Sequence, residues 1–211
     1  MNYFGDVVAL ARKDLLLELR TRDTLPAMLL FVLATLVAFR FALPEDSERA
    51  SIGLLWVAIL FTALVGLTRA FIPEREQRVL DALVLAPVDR SAIWAAKVIA
   101  TLAFLLAAEV VALPAYALFF EGLTWQTAAA IALADVGICA VGAIVAAMAA
   151  GGRARELLFP LLFLPLALPL LLGGVGAGVA DDPGRYLAFL GLYDALFAIL
   201  AWASFEYVVT E

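Results

Sequence analysis

The sequence predicts an all-α, polytopic membrane protein: six transmembrane helices, an N-terminal interfacial amphipathic helix and a short cytoplasmic helix between the second and third spans. Three observations predict it. Of 211 residues, 65% are hydrophobic and 16% charged, against roughly 45–50% and 25% in soluble domains. The apolar residues fall in six runs separated by short polar breaks, and Lys and Arg collect on alternate breaks. A soluble globular fold is excluded, because one core of this size has no room for so much apolar surface.

The expected spans are residues 25–43, 52–72, 93–120, 125–150, 157–179 and 186–209 of a single permease domain. About 20 helical residues cross a hydrocarbon layer roughly 30 Å thick, at about 1.5 Å per residue. Lipid offers no partners to backbone groups, so apolar runs of this length are helices rather than strands. The fifth span contains Pro160, Pro165 and Pro169, and its apolar run ends near Leu172, before Gly173, Gly174, Gly176 and Gly178. Proline removes a helical donor and glycine loosens the chain. A kinked helix, a pair of short re-entrant helices and one clean crossing all fit this span, and the glycines read as a hinge or an external turn.

Basic residues orient the chain. Eleven lie on one set of breaks (Arg12, Lys13, Arg20, Arg22, Arg69, Arg75, Arg78, Arg90, Lys97, Arg153, Arg155) and three on the other (Arg40, Arg49, Arg185). By the positive-inside rule both termini are expected in the cytoplasm. No cleavable signal is expected, since the first apolar run starts at Leu25 behind charges of both signs. The first span itself would then serve as the targeting signal.

The N-terminal amphipathic helix runs from Phe4 to about Leu19. Phe4, Val7, Val8, Ala11, Leu15 and Leu19 fall on one stripe, with Asp6, Lys13 and Arg20 opposite and Glu18 interrupting the edge. Such a helix lies in the headgroup layer, or packs on the bundle. The cytoplasmic helix lies in the segment from Pro73 to Pro87. Pro73 suits a first helical turn, Glu74 and Glu76 complement its positive end, and Pro87 stops it. Val79, Leu80, Leu83 and Val84 form an apolar edge suited to docking on a cytoplasmic partner, though a solvated connector has the same composition.

Several chemistries are excluded. There is no histidine, Cys139 is the lone cysteine, and neither lysine follows a glycine as a P-loop requires. Ser–His and Cys–His nucleophiles are therefore impossible, so no enzyme activity and no resident metal are expected. Gly174-x-Gly176-x-Gly178 has no preceding strand and is not a dinucleotide fingerprint. Three acids do sit inside spans: Glu109, Asp135 and Asp194. An acid at a helix centre costs about 2.5–3.5 kcal/mol on insertion scales, so each faces protein or water. Glu109 lies about 18 Å from one side and Asp135 about 15 Å from the other, which brings both near the midplane. They read as the lining of a polar path or as glue between helices. Arg40 snorkels outward or pairs with one of them.

The N-terminus Arg12-Lys13-Asp14-Leu-Leu-Leu-Glu18-Leu-Arg20-Thr-Arg22, running straight into span one, resembles the start of exporter-type ABC permeases. Glu74-Arg75-Glu76 with Leu80, Leu83, Pro87, Arg90, Ile93 and Lys97 is similar to the loop by which those permeases contact their ATPase. The length, the six spans and the Pro- and Gly-rich fifth span most resemble the heme exporter protein B family of bacterial cytochrome c maturation.

The resemblance implies a permease of the bacterial inner membrane, working as a homodimer with two copies of a cytoplasmic ABC ATPase. It implies a heme-handling membrane protein and a periplasmic heme chaperone as further partners, besides membrane lipid, with no nucleic acid. Glu74, Arg75, Glu76, Arg78, Leu80 and Leu83 would carry the coupling to ATP hydrolysis. Heme would be cargo rather than a cofactor of this chain, whose internal methionines are only Met28 and Met148. ATP would be bound by the partner subunit. The same architecture with a drug, lipid or polysaccharide as cargo is the alternative.

Overall fold

The computed structural model describes residues 3–44, 47–70, 88–149 and 155–210. They form seven helices and no strand: α1 (Tyr3–Thr21), α2 (Thr24–Ala42), α3 (Glu48–Ala70), α4 (Arg90–Phe119), α5 (Trp125–Ala149), α6 (Arg155–Val179) and α7 (Pro183–Thr210). Helices α2 to α7 are long and apolar enough to cross a membrane, making this a multi-pass membrane protein.

Helix α5 is the hub, touching α3, α4, α6 and α7. Nearly half of its residues are alanine or glycine, with Ala130, Ala134, Gly137, Ala140, Gly142 and Ala143 among its buried positions. Small side chains let helix backbones approach closely, which is what drives association where lipid removes the hydrophobic effect between helices. Helix α4 is fastened to it through Trp94, whose indole N–H donates to the Ala140 carbonyl at 3.2 Å.

Helix α6 is continuous through its three internal prolines. Helix α7 is tied to it between Pro165 and Pro169, where Tyr193 donates its hydroxyl to the Leu166 carbonyl. The glycines that read as a hinge or external turn lie inside the same helix. A side chain at Gly174 would meet the Trp56 ring of α3 at 2.1 Å, so this glycine is a seat for an indole rather than a turn.

The N-terminal helix packs sideways on the bundle. Val7 and Ala11 are buried against Ala92 and Ala96 of α4, and Tyr3 accepts a 3.3 Å hydrogen bond from Ser91. The neighbouring stripe stays uncovered, with Phe4 76%, Val8 64% and Leu19 64% exposed. What reads in the sequence as one apolar face is thus two adjacent stripes, one on α4 and one left outward. At the other end of the chain, Arg90 and Glu206 approach at 3.3 Å, so α1, the start of α4 and the end of α7 share one end of the bundle. Tyr116 and Ser51, 2.8 Å apart, mark the opposite end.

Gly174→Val should overpack the Trp56 seat and destabilise the bundle by about 1–3 kcal/mol. Gly53→Ala, where a Cβ meets nothing within 4 Å, should leave stability unchanged or slightly raised. Unfolding by denaturing detergent titration of both variants checks this.

Candidate functional site

Two clusters of polar groups interrupt the apolar interior. The first is the corner joining α1 to α2. Arg22 takes a left-handed conformation (φ 57°), and its N–H donates to the Glu18 carbonyl at 2.7 Å, so the chain turns within two residues. The side chain of Asp23, the position before α2, makes no capping bond. Glu18 caps α2 instead: its carboxylate accepts from the Thr24 N–H at 2.5 Å, the Thr24 hydroxyl at 2.7 Å and the Leu25 N–H at 3.2 Å. A carboxylate there meets free N–H groups and the positive end of the helix dipole. The acid that spoils the amphipathic stripe in the sequence is what holds the two helices together.

One turn earlier, Asp14 bridges Lys13 and Lys97, each at 2.9 Å. Lys97 lies well inside α4 and is buried. Arg69, near the end of α3, donates to the Asp23 carbonyl at 3.2 Å. Segment 71–87 therefore leaves and rejoins the described chain beside α1: Arg69 at one anchor is tied to the α1–α2 corner, and Val88 at the other packs against Val7 and Ala11 with Ala92 and Ala96.

The second cluster lies deep in the bundle. Glu109 (α4), Asp135 (α5) and Asp194 (α7) are all buried, Asp135 completely. The carboxyl groups of Glu109 and Asp135 come within hydrogen-bonding reach of each other, and Asp194 is close enough to interact with Asp135. Gly137 makes room for this third acid, since a Cβ there would lie 2.2 Å from Asp194 Oδ1. Glu109 Oε1 and all four oxygens of the two aspartates have no hydrogen-bond partner among the described residues. Two facing carboxyl groups bond only with a proton between them, and an unpartnered charge in a dry interior costs several kcal/mol. The described residues include no group of three or more His, Cys, Asp or Glu arranged to hold a metal ion. The chemistry open to the trio is that of proton carriage or of a polar lining.

The sequence profile of the CcmB protein family matches residues 6–206. The chain belongs to the CcmB family. Among curated relatives, it is 34% identical to the heme exporter protein B of Paracoccus denitrificans, over 93% of this chain and 94% of that one. It is 32% identical to the heme exporter protein B of Pseudomonas aeruginosa, over 83% and 81% of the two chains. That of Bradyrhizobium diazoefficiens is 31% identical, over 82% and 80%.

For this CcmB-family chain, the structure brings together three of the polar positions singled out in the sequence, Glu109, Asp135 and Asp194. It leaves out the fourth. Arg40 is exposed in the last turn of α2 and, among the described residues, forms no ion pair with any of the three acids. Glu74, Arg75, Glu76, Arg78, Leu80 and Leu83 lie outside the described residues. Sequence reasoning missed Asp14, Lys97 and Thr101 as a group. The available signal was spacing: Lys97 and Thr101 are one turn apart on the stripe that also carries Ala96, Ala100 and Leu105, all buried.

Removing one partner of a buried ion pair is costlier than removing both. Asp14→Asn should therefore destabilise the bundle by about 3 kcal/mol, and the Asp14→Leu/Lys97→Met double variant by less. Denaturant titrations of the two variants in the same detergent decide the order.

Proposed function

We propose that this chain is the membrane permease subunit of an ATP-driven complex that exports heme, or releases a heme-loaded chaperone, in cytochrome c-type biogenesis. The observation that carries the proposal is the match over nearly the whole chain to a family whose curated members are called heme exporter protein B. ATP is bound and hydrolysed by a partner ATPase present in two copies, and this chain has no P-loop with which to do so. A homodimer of this subunit, a heme-handling membrane protein and a periplasmic chaperone complete the complex. It sits in the bacterial inner membrane with both termini in the cytoplasm, in keeping with eleven basic residues on one set of breaks against three on the other.

The mechanism is coupling at a distance. The ATPase pair closes and moves the helix at 74–85, whose charged residues Glu74, Arg75, Glu76 and Arg78 set its register and whose Leu80 and Leu83 enter the partner. Movement of that segment reaches the spans through its two anchors, Arg69, held by the α1–α2 corner, and Val88, packed beside α1. Inside the bundle Glu109, Asp135 and Asp194 line the path along which α4, α5 and α7 shift. Heme iron finds few ligands here: there is no histidine, and Met28 is fully buried while Met148 lies near the end of α5. Stable ligation therefore belongs to the partner.

Leu80→Asp places a charge in an apolar contact, and losses at such anchors are typically tenfold or more. The variant should insert normally, keep the ATPase active in isolated complexes, and lower c-type cytochrome content about tenfold. Heme staining of membrane fractions beside an ATPase assay measures both. Unchanged cytochrome content in Leu80→Asp and Glu74→Ala would remove the docking role, and normal c-type cytochromes in a strain lacking the chain would assign another cargo.

A further inference from the structure

The α1–α2 corner closes over a cleft lined by Asp14, Leu17, Glu18, Thr21, Thr24, Arg69, Lys97, Ala100, Thr101 and Phe104, with room for one small polar group. Leu17, Thr21 and Arg69 are exposed at its rim, and Lys97 and Thr101 are buried at its floor. Thr101 behaves unlike other span threonines. The hydroxyls of Thr35 and Thr62 donate to the carbonyls four residues earlier, at 2.8 and 2.7 Å. That of Thr101 is buried, lines the cleft and has no partner among the described residues. A buried hydroxyl without a partner has lost its water and gained nothing in return, a deficit that a ligand would relieve.

The charges around the cleft say which ligand. Both carboxylates already have internal donors. Asp14 lies between two ammonium groups, and Glu18 accepts three bonds at the start of α2. Both lining anions are thus engaged, whereas the Arg69 guanidinium at the rim gives one N–H to the Asp23 carbonyl and has further donors to offer. A cation would enter against this balance, and an anion with it. Beside the polar floor, Leu17, Ala100 and Phe104 offer apolar surface, and the cleft lies where α2 to α4 begin or end as spans.

We infer that this cleft binds the oxyanionic head of an amphiphile, a carboxylate or a phosphate, held by Thr101, Lys97 and Arg69 with its apolar body along Leu17 and Phe104. An acidic phospholipid and the propionates of a porphyrin share this chemistry. The second source rests on the heme-export reading above, and the first does not.

The test uses the full chain with the subunits that accompany it, in phosphatidylcholine nanodiscs containing a minor share of phosphatidylglycerol. Two probes are titrated: phosphatidylglycerol retention by native mass spectrometry, and fluorescence of metal-free protoporphyrin IX against its dimethyl ester. Thr101→Val keeps side-chain shape and removes the hydroxyl, Arg69→Gln removes the rim charge, and Thr62→Val serves as a control. The expected result is binding of at least one probe, weakened about tenfold in Thr101→Val and Arg69→Gln and unchanged in Thr62→Val. Binding of the free-acid porphyrin but not its ester assigns the site to a carboxylate cargo. Retention of phosphatidylglycerol alone assigns it to lipid and separates it from heme, whatever Leu80→Asp does to cytochromes. If neither probe binds, or both bind the Thr101→Val protein as tightly as the native one, the inference is overturned.

Discussion

Lipid gives apolar helices no hydrophobic reason to associate, so this bundle depends on how closely its members can approach α5. Ala130, Ala134, Gly137, Ala140, Gly142 and Ala143 leave that helix nearly bare, and four other helices lie against it. Where the approach is closest, a side chain from a neighbour occupies the missing Cβ: Asp194 at Gly137 and Leu67 at Gly142. The same bareness explains why carboxyl groups from three helices meet at one depth. A larger residue at position 137 would push α7 away and separate Asp194 from the other two. Packing and polarity are therefore one design here, since the acids converge only because the glycine is there.

The second organising feature is the charged end. Isolated ion pairs at a surface contribute little, but here three contacts lie close together: Asp14 with Lys97 inside α4, Glu18 with the start of α2, and Arg69 at the end of α3 with the α1–α2 corner. Helix α1 is not among the helices apolar enough to cross a membrane, yet it packs on α4 and caps α2. A helix with half its apolar surface on protein and half uncovered suits the boundary between bundle, lipid and water.

Six runs of hydrophobicity and alternating basic breaks made the spans legible from residues alone, because length and hydropathy are properties of a segment by itself. What depended on neighbours was not legible. The three prolines of α6 left a kink, a re-entrant pair and one clean crossing all open; the helix is continuous, packed against α3, α5 and α7. Glu18 read as a flaw in a stripe because its partners, Thr24 and Leu25, lie around a corner whose shape only Arg22 reveals. Glu109 and Asp135 were legible as a pair near one depth, since helical rise converts residue number into height. Asp194 joining them was not, because rotation about a helix axis is set by packing. Thr101 carried only the signal of its one-turn spacing from Lys97, since threonines in spans ordinarily bond their own helix.

The placement of the termini has a practical consequence. Tyr3 lies against Ser91, and Glu206, close to the C-terminal end of α7, lies against Arg90. A fluorescent protein or purification handle fused at either end is delivered to the end of the bundle that carries Arg69 and Val88, where it competes for volume with anything that docks in that space. The turns around Gly122 and Asp181 lie at the far end of the bundle, so a reporter inserted in either leaves that space open.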